Sequence, residues 1–151
     1  MIHKHTVLLV EDDPNDILLI QRAFRKAKLT NINMQVIQDG DAAIDYLDGA
    51  GDYTDRDRYP FPVLILLDLK LPRRSGLEVL GWLRQQPELR RLPVIILTSS
   101  QENTDVNRAY DLGANSYLVK PLGLNALVEV VTTINMYWLL LNESPKVSTD
   151  N

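Results

Sequence analysis

The chain contains no cysteine, which excludes disulfides, thiolate zinc sites and thiol catalysis. Histidine is nearly absent as well. His3 and His5 are the only two, and both precede any periodic segment, so they read as solvated tail residues rather than metal ligands. No Lys/Arg run reaches the length of a basic patch, and the formal net charge is -4. Bulk electrostatics therefore gives no support to a nucleic-acid partner. There is neither a signal-peptide pattern nor a long uncharged apolar run, which points to a cytoplasmic protein with no membrane partner. Internal repeats and low-complexity segments are also missing. What remains is 151 residues, 45% hydrophobic and 24% charged, ordinary for one soluble domain with a proper core.

Short β-branched or leucine-rich runs alternate with amphipathic segments from end to end. The runs are Thr6–Val10, Met34–Ile37, Val63–Leu67, Val94–Leu97 and Tyr117–Val119. Three are almost continuously apolar, as strands of a parallel sheet covered on both faces are. Met34–Ile37 carries the weakest signal. Between them, Asp13 and Pro14 open a first helix in which Ile17, Ile20, Phe24 and Ala27 recur, with Asp16 where a capping box wants a carboxylate. A second helix starts at Asp41 and ends before Gly49. A third runs from near Gly76 to Pro87, with Val79, Leu80 and Leu83 on one face. A fourth spans about Glu102 to Leu112 before Gly113, and the last starts near Gly123. Five strands alternating with five helices make a (βα)5 chain, which right-handed crossovers fold into a doubly wound parallel sheet. Gly49–Pro62 is long for a connection of this kind and reads as a surface loop. The expected division is one domain over 1–142 and a flexible polar tail over 143–151.

Open α/β sheets bind ligands at the carboxyl ends of their strands. Glu11-Asp12-Asp13 follow the first strand, Asp68 the third, Thr98 ends the fourth, and Lys120-Pro121 follow the fifth. Any one of these alone is an ordinary cap or turn residue. Together they bring acids, a hydroxyl and an amine to one rim. Clustered carboxylates repel unless a cation intervenes, and an all-oxygen site with open positions suits Mg²⁺. A carboxylate is a competent phosphoryl acceptor. A divalent metal and one ammonium cover the charge that phosphoryl transfer spreads over oxygen.

Leu8-Leu9-Val10-Glu11-Asp12-Asp13, Ile65-Leu66-Leu67-Asp68-Leu69-Lys70-Leu71-Pro72 with Gly76, Ile96-Leu97-Thr98 and Tyr117-Leu118-Val119-Lys120-Pro121 resemble the receiver domains of two-component response regulators over roughly residues 5–140. The resemblance implies a flavodoxin-like fold with strand order 2-1-3-4-5 and Asp68 as phosphoacceptor. It implies Asp12 as a direct Mg²⁺ ligand, Glu11 acting through water, and the carbonyl of Lys70 as a further ligand. Thr98 matches the switch hydroxyl, Tyr117 the aromatic whose rotamer follows it, and Lys120 the phosphate-binding lysine, joined to Pro121 by a cis bond. Asp13 falls past the acidic pair and reads as a helix cap. Ser99 stands where receivers usually carry Ala or Gly, at the entry to the acceptor, which puts the turnover rate in question. The early Glu-Asp form, the long second loop and the aromatic-aliphatic end are similar to the small regulators paired with bacterial phytochrome kinases. A sensor histidine kinase, of phytochrome type, is the partner so implied.

The expected function is thus a single-domain response regulator, a phosphoacceptor switch rather than an enzyme with a separate substrate. A degenerate receiver serving as a constitutive interaction module is the alternative, and an autonomous phosphohydrolase lacks a second acid/base and a substrate cap. No output domain is expected after Asn151, so output is expected through the receiver surface. Trp82 on the third helix fits either packing or contact. In Ile134-Asn135-Met136-Tyr137-Trp138-Leu139-Leu140-Leu141 every residue but one is apolar. One α/β layer cannot cover such a helix on all sides. Tyr137, Trp138, Leu140 and Leu141 are therefore expected at a homodimer interface.

Overall fold

The structure, a computed structural model, describes residues 4–146; His3 and the end of the polar tail lie outside them. Strands β1 (His5–Val10), β2 (Ile32–Ile37), β3 (Leu64–Leu67), β4 (Val94–Thr98) and β5 (Ser116–Val119) form one sheet in the order β2-β1-β3-β4-β5. All four pairings are parallel. Helices α1 (Pro14–Lys26), α2 (Gly40–Asp48), α3 (Gly76–Gln85), α4 (Asn103–Asp111) and α5 (Leu124–Ile134) follow the strands in turn. This is the flavodoxin-like order expected from the sequence.

The nearly unbroken apolar runs have a physical cause. Leu8, Val10, Ile65, Leu67, Val94 and Ile96 enter one core with residues of α2 and α3. Their sequence neighbours Val7, Leu9, Leu64, Leu66, Ile95 and Leu97 enter the other, with α1 and α5. Side chains alternate across a strand, so a strand buried on both faces must be apolar at every position. The edge strands escape this demand: in β2 only Ile37 is buried, and in β5 nothing is. That is why β2 gave a faint signal, and why it starts at Ile32, ahead of its apolar run. His5 is not a tail residue but the first residue of β1, paired with Ile32.

Capping sets the helix starts. Asp39 accepts from the Ala42 N–H at 2.7 Å, so α2 begins slightly ahead of Asp41. Gly49 ends it with φ 67, a conformation open to glycine. Ser75 and Glu78 form a capping box on α3. A Cβ on Gly76 would lie 2.1 Å from the Asp68 carbonyl oxygen, so only glycine lets α3 start against the end of β3.

The Gly49–Pro62 connection is a packed extension of the core. Tyr53 and Tyr59 meet edge to face at 5.0 Å, and Tyr53 lies 5.2 Å from Tyr46. The Arg56 guanidinium stands 5.6 Å from the rings of both Tyr46 and Phe61 and donates to the carbonyls of Leu47 and Tyr59. Tyr46, fully buried, donates its hydroxyl to Pro60 O at 2.6 Å. Trp82 is half-buried, partly packed on the α2/α3 core and partly lining a groove with Leu77, Arg108 and Leu112.

Helix α5 runs on into a π-helical stretch, Asn135–Leu141. Leu127, Val131, Ile134 and Leu139 are buried, whereas Met136, Tyr137, Leu140 and Leu141 are exposed. Trp138 is partly buried, with its ring 5.1 Å from that of Tyr137. By length and composition Leu124–Leu141, with mean hydropathy 1.4, could cross a membrane, a qualification to the expectation of no long apolar run. Its buried stripe instead makes it the core helix beside α1.

Candidate functional site

Parallel register brings the predicted rim together. Val10 pairs with Leu67, so Glu11 and Asp68 leave β1 and β3 at the same level, and the Asp68 N–H donates to Val10 O at 3.0 Å. Thr98 pairs with Val119, and the Lys120 N–H donates to Thr98 O at 2.7 Å. One carboxylate oxygen from each of Glu11, Asp12 and Asp68 lies within 4.8 Å of the others. Glu11 and Asp68 are buried and Asp12 is exposed, so the group opens to solvent on one side.

Lys120 closes the other side. Its ammonium donates to Asp68 Oδ2 at 3.0 Å, to Asp16 Oδ2 at 2.9 Å and to Glu11 Oε1. Asp68 Oδ1 accepts from the Leu69 N–H at 2.7 Å and lies 3.5 Å from the Lys70 nitrogen. Burial pushes the Glu11 carboxyl up to about 7, against the opposing hydrogen bond from Lys120 and with the Asp68 charge adding to the rise. For Lys120 burial works against the charge, but its hydrogen bonds to Glu11 and Asp16 and the Asp68 charge outweigh it and raise the ammonium. The lysine thus stays charged among its acids.

Thr98 is fully buried, and its hydroxyl has no hydrogen-bond partner among the described residues. An orphaned buried hydroxyl costs about 1–3 kcal/mol and marks a place where an acceptor belongs. Tyr117, half-buried, donates its hydroxyl to Ser100 O at 2.9 Å. Ser100 in turn donates to Asp105 Oδ2 at 2.6 Å at the start of α4. Burial raises the Tyr117 phenol.

Two expectations change. The Lys120–Pro121 bond is trans, since no peptide bond among the described residues is cis. The two isomers of an X–Pro bond differ by only about 0.5–1 kcal/mol, and Lys120 reaches all three acids with the bond trans. Asp16 does not complete a capping box. The Asp13 N–H that it would accept is taken by Glu11 Oε2 at 3.1 Å, while Asp13 itself caps the Asn15 N–H. Asp16 turns to Lys120 instead. The sequence reading missed this because its position at the third residue of a helix had a local explanation.

Residues 7–132 match the family described as response regulator receiver domain. The chain belongs to that family. The receiver is 41% identical over 142 residues to the probable methanogenesis regulatory protein FilR2 of Methanothrix harundinacea, covering 92% of this chain and 86% of FilR2. It is 39% identical over 133 residues to response regulator Rcp1 of Synechocystis sp., covering 88% of each chain. The Mn²⁺-bound form of Rcp1 superposes with TM-score 0.82 at 38% identity, over 93% of this chain and 99% of that one. The phosphorylated cyanobacterial phytochrome response regulator RcpA gives TM-score 0.86 at 36% identity, over 94% and 99%. The receiver is therefore a response regulator of the kind that includes phytochrome-linked regulators, with an acidic metal site at Glu11, Asp12 and Asp68.

Proposed function

We propose that this receiver accepts a phosphoryl group on Asp68 from a sensor histidine kinase, in a Mg²⁺-dependent reaction, and signals through a phosphorylation-controlled protein surface. The observation that carries the reading is the position of Asp68, with Glu11 and Asp12 on one side and the Lys120 ammonium 3.0 Å away on the other. The donor set fits a hard divalent cation: carboxylate oxygens, one side open to water, no nitrogen or sulfur. Glu11, Asp12 and Asp68 would hold it, with the carbonyl of Lys70 as a further ligand. When bound, Mg²⁺ supplies positive charge to the transferring oxygens.

The chain's own groups do the rest. An Asp68 oxygen attacks phosphorus in line, the O–P bond forms, and the N–P bond of a phosphohistidine breaks with its electron pair leaving on the imidazole nitrogen. The Leu69 N–H on Oδ1 fixes the carboxylate plane. Lys120 neutralises charge on the incoming oxygens. Thr98 then donates its unpartnered hydroxyl to the phosphoryl group, and Tyr117 follows into the space that Thr98 leaves. Water attacking phosphorus later restores the carboxylate, so the protein is a self-resetting switch rather than an enzyme. The convergence of Glu11, Asp12, Asp68, Thr98 and Lys120 speaks against a constitutive interaction module, which needs none of them.

The similarity to phytochrome-linked regulators supports a phytochrome-type kinase as partner, in the cytoplasm, with residues 1–142 as the receiver. Exposed Tyr137, Leu140 and Leu141 beside the part-buried Trp138 support a homodimer through the last helix. Phosphotransfer from candidate kinases, with the modified residue located by mass spectrometry after borohydride trapping, tests the central claim. Label is expected on Asp68 only with Mg²⁺; undiminished label in Asp68→Asn would overturn it.

A further inference from the structure

Lys120 has three N–H donors and no acceptor, and three carboxylates use them all: Glu11, Asp68 and Asp16. A phosphoryl oxygen arriving at Asp68 therefore cannot reach the ammonium until one of these bonds is given up. The three are not equally held. The Glu11 side chain is 2% exposed and its other oxygen accepts from the Asp13 N–H. The Asp68 side chain is 9% exposed and is the acceptor itself. Asp16, on the first turn of α1, is 35% exposed and lies outside the Glu11–Asp12–Asp68 metal group. Releasing a carboxylate to water costs least where water already reaches it.

We infer that Asp16 is a positioning residue that occupies Lys120 in the resting state and is exchanged for the phosphoryl group when Asp68 is modified. This rests on the phosphoacceptor reading above. It explains why Asp16 forgoes the helix cap. That duty falls to Glu11, leaving the Asp16 carboxylate as a stand-in anion beside the acceptor. Because the exchange sets Asp16 against the phosphoryl group for one donor, it weakens the hold of Lys120 on that group. Asp16 thereby limits how far the modified state accumulates.

The test measures binding of beryllium trifluoride with Mg²⁺, a mimic of a carboxylate-bound phosphoryl group, to wild type, Asp16→Asn, Lys120→Ala and the double variant. Asp16→Asn keeps size and folding but removes the competing charge. It should bind roughly fivefold more tightly, the scale of one partly exposed ion pair. The gain should vanish in the Lys120→Ala background, a result that a purely structural role for Asp16 would not give. As a second measurement, the Asp16 carboxyl carbon signal should shift when wild type is loaded and stay still in Lys120→Ala. Equal or weaker binding by Asp16→Asn, or a gain that persists without Lys120, overturns the exchange while leaving the acceptor in place. A wild type that takes no beryllium trifluoride overturns the phosphoacceptor reading, and the exchange with it.

Discussion

The Tyr117 hydroxyl donates to the carbonyl of Ser100 at 2.9 Å, so the aromatic ring of β5 is tied to the turn that leads from β4 into α4. Ser100 is itself held by Asp105. Tyr117, Ser100 and Asp105 thus form a hydrogen-bonded path from β5 through the turn after Thr98 to the start of α4.

Thr98 sits buried with an unsatisfied hydroxyl. Thr98→Val should raise the stability of the metal-free protein by roughly 1 kcal/mol, because it removes that unpaired group at nearly constant shape. The same variant should still accept phosphate but lose most of the phosphorylation-dependent shift of β5 and α4 signals by NMR. A full shift in the variant would show that the route through Thr98 and Tyr117 is wrong.

Without a cation, Glu11, Asp12 and Asp68 repel one another across less than 4.8 Å. Asp12→Ala should leave metal-free stability unchanged or slightly higher. Wild type should gain about 2.7 kcal/mol at Mg²⁺ a hundredfold above its dissociation constant, and the variant should gain almost none. Denaturant unfolding with Mg²⁺ or with EDTA reads both quantities. Wild-type gain in Asp12→Ala would remove Asp12 from the ligand set.

Tyr46 gives a pH signature away from the site. Burial raises its phenol from 10.0 to about 12, so the folded state keeps a proton that the unfolded chain has already lost. Stability contributed by this group is complete below about pH 10 and falls as the pH rises toward 12. Ultraviolet titration should show Tyr46 among the tyrosines that ionise late, its step coinciding with unfolding. Tyr46→Phe should remove one phenol from the late phase and cost about 1–2 kcal/mol by stranding the Pro60 carbonyl.

Tyr137 and Leu140 are 53% and 54% exposed. If the last helix is a dimer interface, Tyr137→Glu/Leu140→Glu should be monomeric by sedimentation where wild type is dimeric, with unchanged folding. Wild type that stays monomeric at high micromolar concentration, modified or not, would remove the dimer from the proposal.

The sequence by itself determined the sheet, the helix order and the identity of the rim. Strands buried on both faces must be apolar throughout, and the carboxyl ends of parallel strands necessarily lie on one side, so Glu11, Asp12, Asp68, Thr98 and Lys120 are legible in the sequence as one rim. Signals weakened where burial weakened, as in β2, and the start of α2 followed the Asp39 cap. Only the tertiary structure decided how local alternatives resolve. Asp16 had two partners open to it, the backbone of its own helix turn and an amine more than a hundred residues away. Glu11 holds the Asp13 N–H that would have been the local partner, and Asp16 pairs with Lys120. Tyr53, Arg56 and Tyr59 read as loop composition, and only the tertiary structure packs the two rings and the guanidinium against Tyr46 of α2. Side-chain pairing across long sequence separation leaves no periodic trace, because it is set by which groups the packed backbone brings within hydrogen-bonding distance.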